Sequence, residues 1–485
     1  MAALTRTNRS LPTRGLAIVA CMTAIVVASQ LTGVGHPALA PGSAPAEVGA
    51  AGATGVTGGV DPVAPALADL DSGAASGSTG STGAARSAGL DRITADIAFW
   101  SARVARNRDD FVSSNRWGVS EIELARTTGD LSAFLRAEAA FNTTLLRDQA
   151  NAAALGYKGS VLVSLHRFGD AAALARTVLA RRPNDPVALA TLGDASLELG
   201  DLAAARAAYT RVNALNPSAA TLVRLGHLAF ISGDTATARR SAAAAVVAAD
   251  AEGAEGERAA FYRYQLADVL ISTGDLPAAT TAYTAAVRAD PGSFLAHSGL
   301  ARALAGAGDL TGAIRELSGA IAIVPQPELL ARRGDLYALR GRSGDARLAT
   351  ADYATVEVIA RLAGEAASVY DRTLSLYLAN HGLDPARAVR LAATELTVRR
   401  DVYGYDAYAW ALLAVGRPAE ANAAMGTALA FGTRDAKLLY HAGMIATALG
   451  QKERARGLLE DALRLDSSFD PLQVARARQT LASLR

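Results

Sequence analysis

The side chains that most often carry catalysis are sparse in this sequence and lack the spacings that catalysis requires. Five histidines follow residue 40, and none pairs with another at metal-ligand spacing: His166, His227, His297, His381 and His441. The sequence has no Gly-x-Ser-x-Gly motif for a serine nucleophile and no glycine-rich loop ending in Lys-Ser or Lys-Thr for a phosphate. We therefore expect no catalytic, cofactor-binding or metal site, and we predict that the protein is not an enzyme.

Cysteine content and charge exclude further classes of protein. Cys21 is the single cysteine among 485 residues, which excludes an internal disulfide framework, a zinc finger and a two-cysteine redox centre. The 48 basic and 46 acidic residues leave a formal charge of +2 without basic blocks. Because a dedicated nucleic-acid binder concentrates positive charge on one face, we expect no nucleic-acid partner.

Residues 1–40 have the layout of a secretory signal peptide. Arg6, Arg9 and Arg14 precede an apolar run over 16–31, and Ala38-Leu39-Ala40 supplies small residues for signal peptidase. Removal of this segment takes away three positive charges, so the formal charge falls from +2 to −1. The sequence thus predicts a secreted or cell-envelope protein that begins at Pro41 after cleavage.

Two alternatives for this segment stay open. Residues 15–34 are long enough for an uncleaved membrane anchor, and the residues ending at Cys21 resemble a short lipoprotein signal. Both alternatives still place the remainder outside the cytoplasm. Residues 41–89 are rich in Gly, Ala, Ser, Thr and Pro, a composition that cannot bury enough apolar surface to fold, and they are predicted to be a disordered linker.

From about residue 90 the chain repeats itself every 34 residues or so. The clearest unit has Leu189, Gly193, Gly200, Ala205 and Pro217 at fixed positions. A small residue recurs in phase with Gly193, a glycine follows it seven residues later in nearly every unit, and an alanine follows twelve residues later. The small residues are Gly159, Gly193, Gly226, Ala267, Ala301, Gly334, Ala409 and Gly443. A period of this length is typical of stacked helix pairs.

This pattern resembles the tetratricopeptide repeat, and the resemblance covers roughly residues 115–470. It implies an all-α, right-handed solenoid of about ten antiparallel helix pairs, with capping helices at both ends of residues 90–485. The small residue would let the two helices of a pair approach closely, and the glycine would end the first helix in a left-handed conformation. The segments 125–130 and 136–139 resemble the first repeat of exported bacterial proteins of this family.

The resemblance also implies that the first helices of successive units line a concave groove that binds a peptide or a partner domain. Tyr403, Asp406 and Trp410 follow helical spacing on one first helix, and Lys437, Tyr440 and Met444 take the corresponding positions one unit later. The other candidate groove residues are Tyr264, Asp268, His227 and Arg302. On the helix that carries Trp410, Tyr405 and Tyr408 turn toward the pair interface and are predicted to lie in the core. An alternative is that Trp410 and Tyr440 themselves pack within the helix pair.

The function predicted from the sequence is an extracytoplasmic scaffold for an unidentified protein or peptide partner. Contact with a membrane is expected only through an uncleaved amino-terminal segment. Two alternatives remain open: a small-molecule- or carbohydrate-binding protein or enzyme accessory, and an assembly or folding factor for envelope proteins.

Overall fold

The computed structural model describes residues 81–362 and 370–484, and the long regular elements within them are α-helices. These ranges contain 22 helices: α1 Ser81–Arg106, α2 Phe111–Thr128, α3 Leu131–Leu145, α4 Ala152–Ser164, α5 Phe168–Arg181, α6 Pro186–Glu198, α7 Leu202–Leu215, α8 Ala219–Ile231, α9 Thr235–Ala251, α10 Gly256–Ser272, α11 Leu276–Ala289, α12 Phe294–Gly306, α13 Leu310–Ile323, α14 Pro327–Arg340, α15 Asp345–Leu362, α16 Asp371–His381, α17 Pro385–Glu395, α18 Val402–Ala414, α19 Pro418–Leu429, α20 Ala436–Ala448, α21 Lys452–Leu465 and α22 Pro471–Ser483. Helices α2 to α21 form ten consecutive pairs, each packed against the next. The predicted all-α solenoid of about ten pairs is confirmed.

Short turns join the two helices of each pair, and their chemistry follows the repeat. Nine glycines occupy the predicted turn position, and all have φ between +64° and +88°, a left-handed conformation that costs other residues more. They are Gly129, Gly200, Gly233, Gly274, Gly308, Gly341, Gly382, Gly416 and Gly450. His166, which replaces glycine in one unit, adopts the same conformation with φ +56°. Aspartates that follow the glycines cap the next helix; Asp201, for example, accepts a hydrogen bond of 2.9 Å from Ala204 N.

The small residue on the first helix lies where two helices cross closely, as predicted. A Cβ atom added at Gly193 would overlap the ring of Tyr209 on α7, and one at Gly334 would overlap the ring of Tyr353 on α15. The second-helix alanines Ala205 and Ala238 are fully buried. These contacts confirm the phase that the sequence assigns to the repeat.

In two places the repeat is longer than 34 residues, and longer helices there accommodate the additional residues. Helices α9 and α10 have 17 residues each, and the acidic segment between them forms the end of α9, a short loop and the start of α10. In the second long unit the sequence has no helix-breaking residue before Gly364, which predicts a long second helix. Helix α15 agrees with this prediction, with 18 residues.

Both ends of the solenoid carry an additional helix. Helix α1 packs on α2 through a face that includes Ile93 and Val104, as its amphipathic pattern predicts. Helix α22 contacts α20 and α21 and also α14, so it covers more than the last pair. Its buried face includes Val474 and Ala477, whereas Ala475, predicted to be in this face, is exposed.

The linker boundary differs from the one assigned by composition. Helix α1 begins at Ser81, so residues 81–89 are helical rather than part of the linker. Alanine has the highest helix propensity, and the alanines of this stretch extend the amphipathic helix toward the amino terminus. The predicted signal peptide and the linker residues up to 80 lie outside the described residues.

The solenoid turns far enough to contact itself. The turn after α6 meets the loop before α18, where Arg400 N donates a 2.9 Å hydrogen bond to Glu198 O. The turn after α8 meets the loop before α20, where the Thr433 hydroxyl donates to Ile231 O at 2.5 Å. The third to fifth helix pairs thus contact pairs that follow after one superhelical turn. This closure surrounds the inner face of the first helices.

Candidate binding site inside the superhelix

A single large cavity occupies the inside of the closed turn in the described part of the chain. Its volume is about 490 Å³. Its wall comes mainly from the first helices of successive pairs, from α4 through α20, and from the segment that leads into α22. The repeat therefore places side chains from distant parts of the sequence around one partly open space, which we call the interior cavity.

Most of the groove residues predicted from the sequence line the interior cavity. These residues are His227, Tyr264, Asp268, Arg302, Tyr403, Asp406 and Lys437. They belong to five first helices, α8, α10, α12, α18 and α20. The structure thus brings together residues that are up to 210 positions apart in the sequence.

Trp410, Tyr440 and Met444 do not belong to this wall, and the predicted exposure of the two aromatic residues is wrong. Trp410 is 5% exposed and Tyr440 is fully buried, in a hydrophobic cluster that Met444 also contacts. The Trp410 ring stacks on the His441 ring with centroids 4.1 Å apart, and its Nε1 donates to Asn380 Oδ1 at 2.8 Å. Trp410 therefore lies between neighbouring first helices, a side of the helix that the next unit buries.

The two tyrosines on α18 that are predicted to lie in the core do pack against it, although they are more accessible than Trp410. Tyr405 and Tyr408 are half-buried, whereas Trp410 is almost completely buried. The spacing correctly places Trp410 one turn from Asp406, but Asp406 is itself nearly buried and bonds to His441 Nδ1 at 2.8 Å. Helical spacing alone did not separate the face toward the cavity from the face toward the next unit.

An ion-pair network occupies the wall where the closed turn meets itself. Arg372 donates to Asp401 at 2.6 and 3.1 Å and pairs with Glu395 at 2.8 Å. Arg399 pairs with Glu198 across the closure, from a position 201 residues away. Burial opposes the charge of Arg372, but Asp401 and Glu395 hold its pKa above the usual range. These groups join α6 to the segment before α18 and stabilise the closure.

A second buried ion pair connects two neighbouring units within the cavity wall. Arg224 Nε and Nη2 donate to the two carboxylate oxygens of Asp194 at 2.8 and 2.9 Å. The Tyr209 hydroxyl donates to Asp194 Oδ1 at 2.9 Å, and burial raises the pKa of that hydroxyl, with Asp194 adding to the effect. This arrangement links α6, α7 and α8.

His166 adds an uncharged polar group to the wall beside the ion-pair network. Its ring stacks on Phe168, and its Nε2 is buried with no hydrogen-bond partner among the described residues. Burial lowers the pKa of His166 well below its usual value, and the positive charges of Arg399 and Arg372 lower it further. The ring is therefore neutral at physiological pH.

Sequence reasoning missed the groups that come from the loops between pairs. Arg399, Asp401, Asp435 and Asp466 line the interior cavity from such loops or from the ends of helices. The repeat pattern describes helix faces, so it carries no signal for inter-pair loops. An Arg-Arg-Asp sequence at 399–401, directly before the aromatic helix α18, was the local feature that could have drawn attention to one of them.

Among residues 81–362 and 370–484, no three His, Cys, Asp or Glu side chains form a group that could hold a metal ion. Within the same ranges no helix combines the length and the apolar character needed to cross a membrane. Residues 15–34, the candidate anchor, lie outside these ranges.

Comparison with known families finds repeats along much of the chain. Three family profiles described as tetratricopeptide repeat match it: one over residues 122–186 and 264–328, one over 162–225 and one over 436–469. The matches over 122–186 and 264–328 end at the start of a first helix, and the match over 436–469 begins at the start of one. No curated protein is significantly similar to the chain.

Several solved structures are similar to the chain at low sequence identity. A tetratricopeptide repeat protein from Parabacteroides merdae is 18% identical over 54% of this chain and 98% of its own, with a TM-score of 0.31. A structure of the human IFIT1 dimer with PPP-AAAA is 13% identical over 76% of this chain and 94% of its own, with a TM-score of 0.42. Yeast Tom70 is 12% identical over 76% and 96% of the two chains, with a TM-score of 0.31.

Proposed function

The chain belongs to the tetratricopeptide-repeat family, whose members are protein-interaction scaffolds, and we propose that it holds a short segment of a partner protein in the interior cavity. The observation that carries this proposal is the closed turn, which places polar and aromatic side chains of successive first helices around one partly open cavity. In an open solenoid the same side chains would face a broad groove.

The size of the interior cavity supports a segment rather than a folded domain as the occupant. A volume of about 490 Å³ lies within the range of roughly 300–1,000 Å³ that is usual for ligand pockets. A few residues of an extended chain fit such a space, whereas a domain does not. The partner would therefore insert a tail or a loop, and its folded part would remain outside.

Filling the cavity tests this proposal. Gln265 lies on α10, lines the interior cavity and is half-buried. We expect Gln265→Trp to weaken capture of the partner at least tenfold, because an indole would occupy the space that the segment needs. The measurement is quantitative pull-down of proteins from the native cell envelope on the immobilised 485-residue chain.

The control is the same substitution outside the cavity. Gln479 is exposed on α22 and does not line the cavity, so Gln479→Trp should leave capture unchanged. Circular dichroism and the thermal midpoint would establish that both variants fold. Equal capture by the two folded variants would place the partner elsewhere on the solenoid.

The proposed location is outside the cytoplasm, and the amino-terminal sequence supports it. The arginines at 6, 9 and 14, the apolar run and the Ala38-Leu39-Ala40 site have the order that signal peptidase recognises. Amino-terminal sequencing of the protein produced in its own cells should begin at Pro41. Recovery of peptides that contain Arg6 and Arg14 from the membrane fraction would identify an uncleaved anchor instead.

A small-ligand-binding protein is the second candidate function, and the size of the interior cavity is the observation that favours it. The pocket-sized volume suits a free organic molecule as well as a peptide segment. A ligand that binds the folded state alone raises the thermal midpoint with increasing concentration. Stabilisation of the wild-type chain by a small molecule, lost in Gln265→Trp and kept in Gln479→Trp, would support this function over the scaffold.

A further inference from the structure

One end of the interior cavity carries more negative than positive charge. Four carboxylates line it, and two basic side chains accompany them; we call this region the acidic end. Its members are Asp268, Asp406, Asp435, Asp466, Arg302 and Lys437. Over the whole wall of the cavity, carboxylates also outnumber the lysines and arginines, so the rest of the wall does not supply the missing positive charge.

Arg302 is shared between carboxylates rather than paired with one. Its Nη1 lies 3.2 Å from Asp268 Oδ1, and its Nη2 lies 3.8 Å from Asp466 Oδ2. Burial opposes its charge, but the Tyr283 hydroxyl, Asp268, Asp466 and Asp435 together hold the pKa of Arg302 above its usual range. One positive charge therefore stands among three carboxylates and cannot balance all of their negative charge.

Asp466 carries a buried oxygen that lacks a hydrogen bond. The residue is 6% exposed and lines the cavity, and its Oδ1 accepts from Ser468 N and from the Ser468 hydroxyl. Its Oδ2 has no hydrogen-bond partner among the described residues, because Arg302 Nη2 is too distant to donate. A buried charged oxygen without a partner is costly, so this atom would gain from a donor that enters the cavity.

Asp435 shows the same surplus of negative charge. Its carboxylate caps α20 by accepting from Leu438 N at 2.9 Å. Burial raises the pKa of Asp435 although Leu438 N, Arg302 and Lys437 favour its charged form, and the nearby Asp406 carboxylate raises the pKa further. A further cation at this end would relieve the repulsion between these carboxylates.

Aromatic side chains complete the wall at this end. Tyr403 on α18 and Tyr264 on α10 both line the interior cavity. Burial raises the pKa of the Tyr403 hydroxyl well above its usual value, and four carboxylates led by Asp435 and Asp268 add to the effect. Tyrosine rings next to carboxylates form an environment that favours organic cations, because the ring face attracts positive charge.

We propose that the acidic end of the interior cavity binds a lysine or arginine side chain of the inserted partner segment, with Asp466 Oδ2 and the Asp435 carboxylate accepting its hydrogen bonds. This inference rests on the proposed function and adds the chemistry of the occupant. A guanidinium group donates five hydrogen bonds in a fixed fork, which suits carboxylates that line one wall. Charge-assisted hydrogen bonds of this kind are the stronger ones in proteins.

The test compares probes that differ in charge. Isothermal titration calorimetry on the 485-residue chain would measure the binding of acetyl-Gly-Arg-Gly-amide, acetyl-Gly-Lys-Gly-amide and acetyl-Gly-Gln-Gly-amide. We expect the two cationic peptides to bind at least tenfold more tightly than the neutral one. Agmatine and calcium chloride serve as a free organic cation and a metal ion, and both should bind more weakly than the arginine peptide.

Variants that lack the carboxylate charges show whether binding of the arginine peptide depends on the acidic end. Asp435→Asn with Asp466→Asn keeps the cap of α20 and the acceptor for Ser468, since asparagine caps as well as aspartate. This double variant should lose at least tenfold in affinity for the arginine peptide. Asp109→Asn with Asp461→Asn removes the same charge from exposed carboxylates and should bind as the wild type does.

Should the double variant not fold, Asp268→Asn tests the same end from a side chain that caps no helix and is 42% exposed. Its expected effect is also a loss of arginine-peptide binding. Equal binding of the glutamine and arginine peptides, or full affinity in both folded variants, would overturn the cation site. Tighter binding of agmatine or calcium than of the arginine peptide would overturn the assignment to a partner side chain. Loss of the scaffold function would appear separately, in the capture experiment on Gln265→Trp.

Discussion

Alanine at Gly200, Gly233 and Gly274 together is expected to open the closed turn of the solenoid. These residues have φ of +81°, +82° and +88°, and each lies against a backbone carbonyl of a later unit. A Cβ at Gly200 would lie 2.5 Å from Arg400 O, and Cβ atoms at the other two would be as close to the carbonyl oxygens of Gly432 and Leu465. A backbone oxygen cannot rotate away, so the two turns of the superhelix must separate.

Matched glycines separate this clash from the cost of the left-handed conformation. Gly308, Gly416 and Gly450 occupy the same turn position with φ of +87°, +79° and +71°, and among the described residues no atom lies within 4 Å of an added Cβ. Both triple variants lose roughly 1–2 kcal/mol per residue from the conformation alone.

Small-angle scattering of the two triple variants would measure the difference. The radius of gyration and the maximum dimension should increase for the variant at the closure and remain at the wild-type values for the control. Partner capture should fall with the closure variant alone. Identical scattering from the two triple variants would contradict the closed turn.

Asp194→Ala is expected to destabilise the fold by about 3–5 kcal/mol, because it leaves a buried guanidinium without its carboxylate. The Arg224 side chain is 2% exposed and donates two hydrogen bonds to Asp194, which also accepts from the Tyr209 hydroxyl. The free energy of unfolding in urea is the quantity to measure.

The control for this prediction is an exposed ion pair. Asp461 pairs with Arg464 on the surface of α21, and Asp461→Ala should cost less than about 1 kcal/mol. Asp194→Ala combined with Arg224→Leu should recover most of the loss, since an apolar pair can replace a buried ion pair at little cost. A loss for Asp194→Ala no larger than that for Asp461→Ala would mean that the pair is not buried as described.

The fold could be predicted from the sequence because the residues within each unit determine the geometry of that unit. Gly193 indicates a close crossing and Gly200 a left-handed turn, while Asp201 caps the next helix, and all three features repeat in phase. These are local relations within 34 residues. The helix count, the long α15 and the two capping helices follow from the same pattern and its interruptions.

The closure of the solenoid could not be predicted in this way. Gly200 and Gly416 occupy the same position of the repeat with nearly the same φ, yet one lies against Arg400 O and the other has no neighbour within 4 Å among the described residues. The difference depends on the small rotation between units accumulated over five or six pairs. No single residue type indicates the accumulated rotation, so the contact of Glu198 with Arg399 could not be predicted from the sequence.

The same limit explains the mixed outcome for the candidate site. Seven of the ten predicted residues line the interior cavity because the first helices do face inward. Trp410 and Tyr440 were assigned to that face from spacing, but neighbouring first helices bury one flank of each helix. A large aromatic side chain gains more by filling this flank than by facing the cavity.

Site-specific photocrosslinking tests most directly whether a partner segment lies inside the closed turn. A photoreactive benzoylphenylalanine in place of Gln265 would stand in the cavity wall, and one in place of Gln479 would stand on the outer surface of α22. Irradiation in the native envelope should yield a partner adduct from position 265 and none from position 479, with the crosslinked site in a tail or loop of the partner. An adduct from position 479 alone would contradict the binding of a partner segment inside the closed turn.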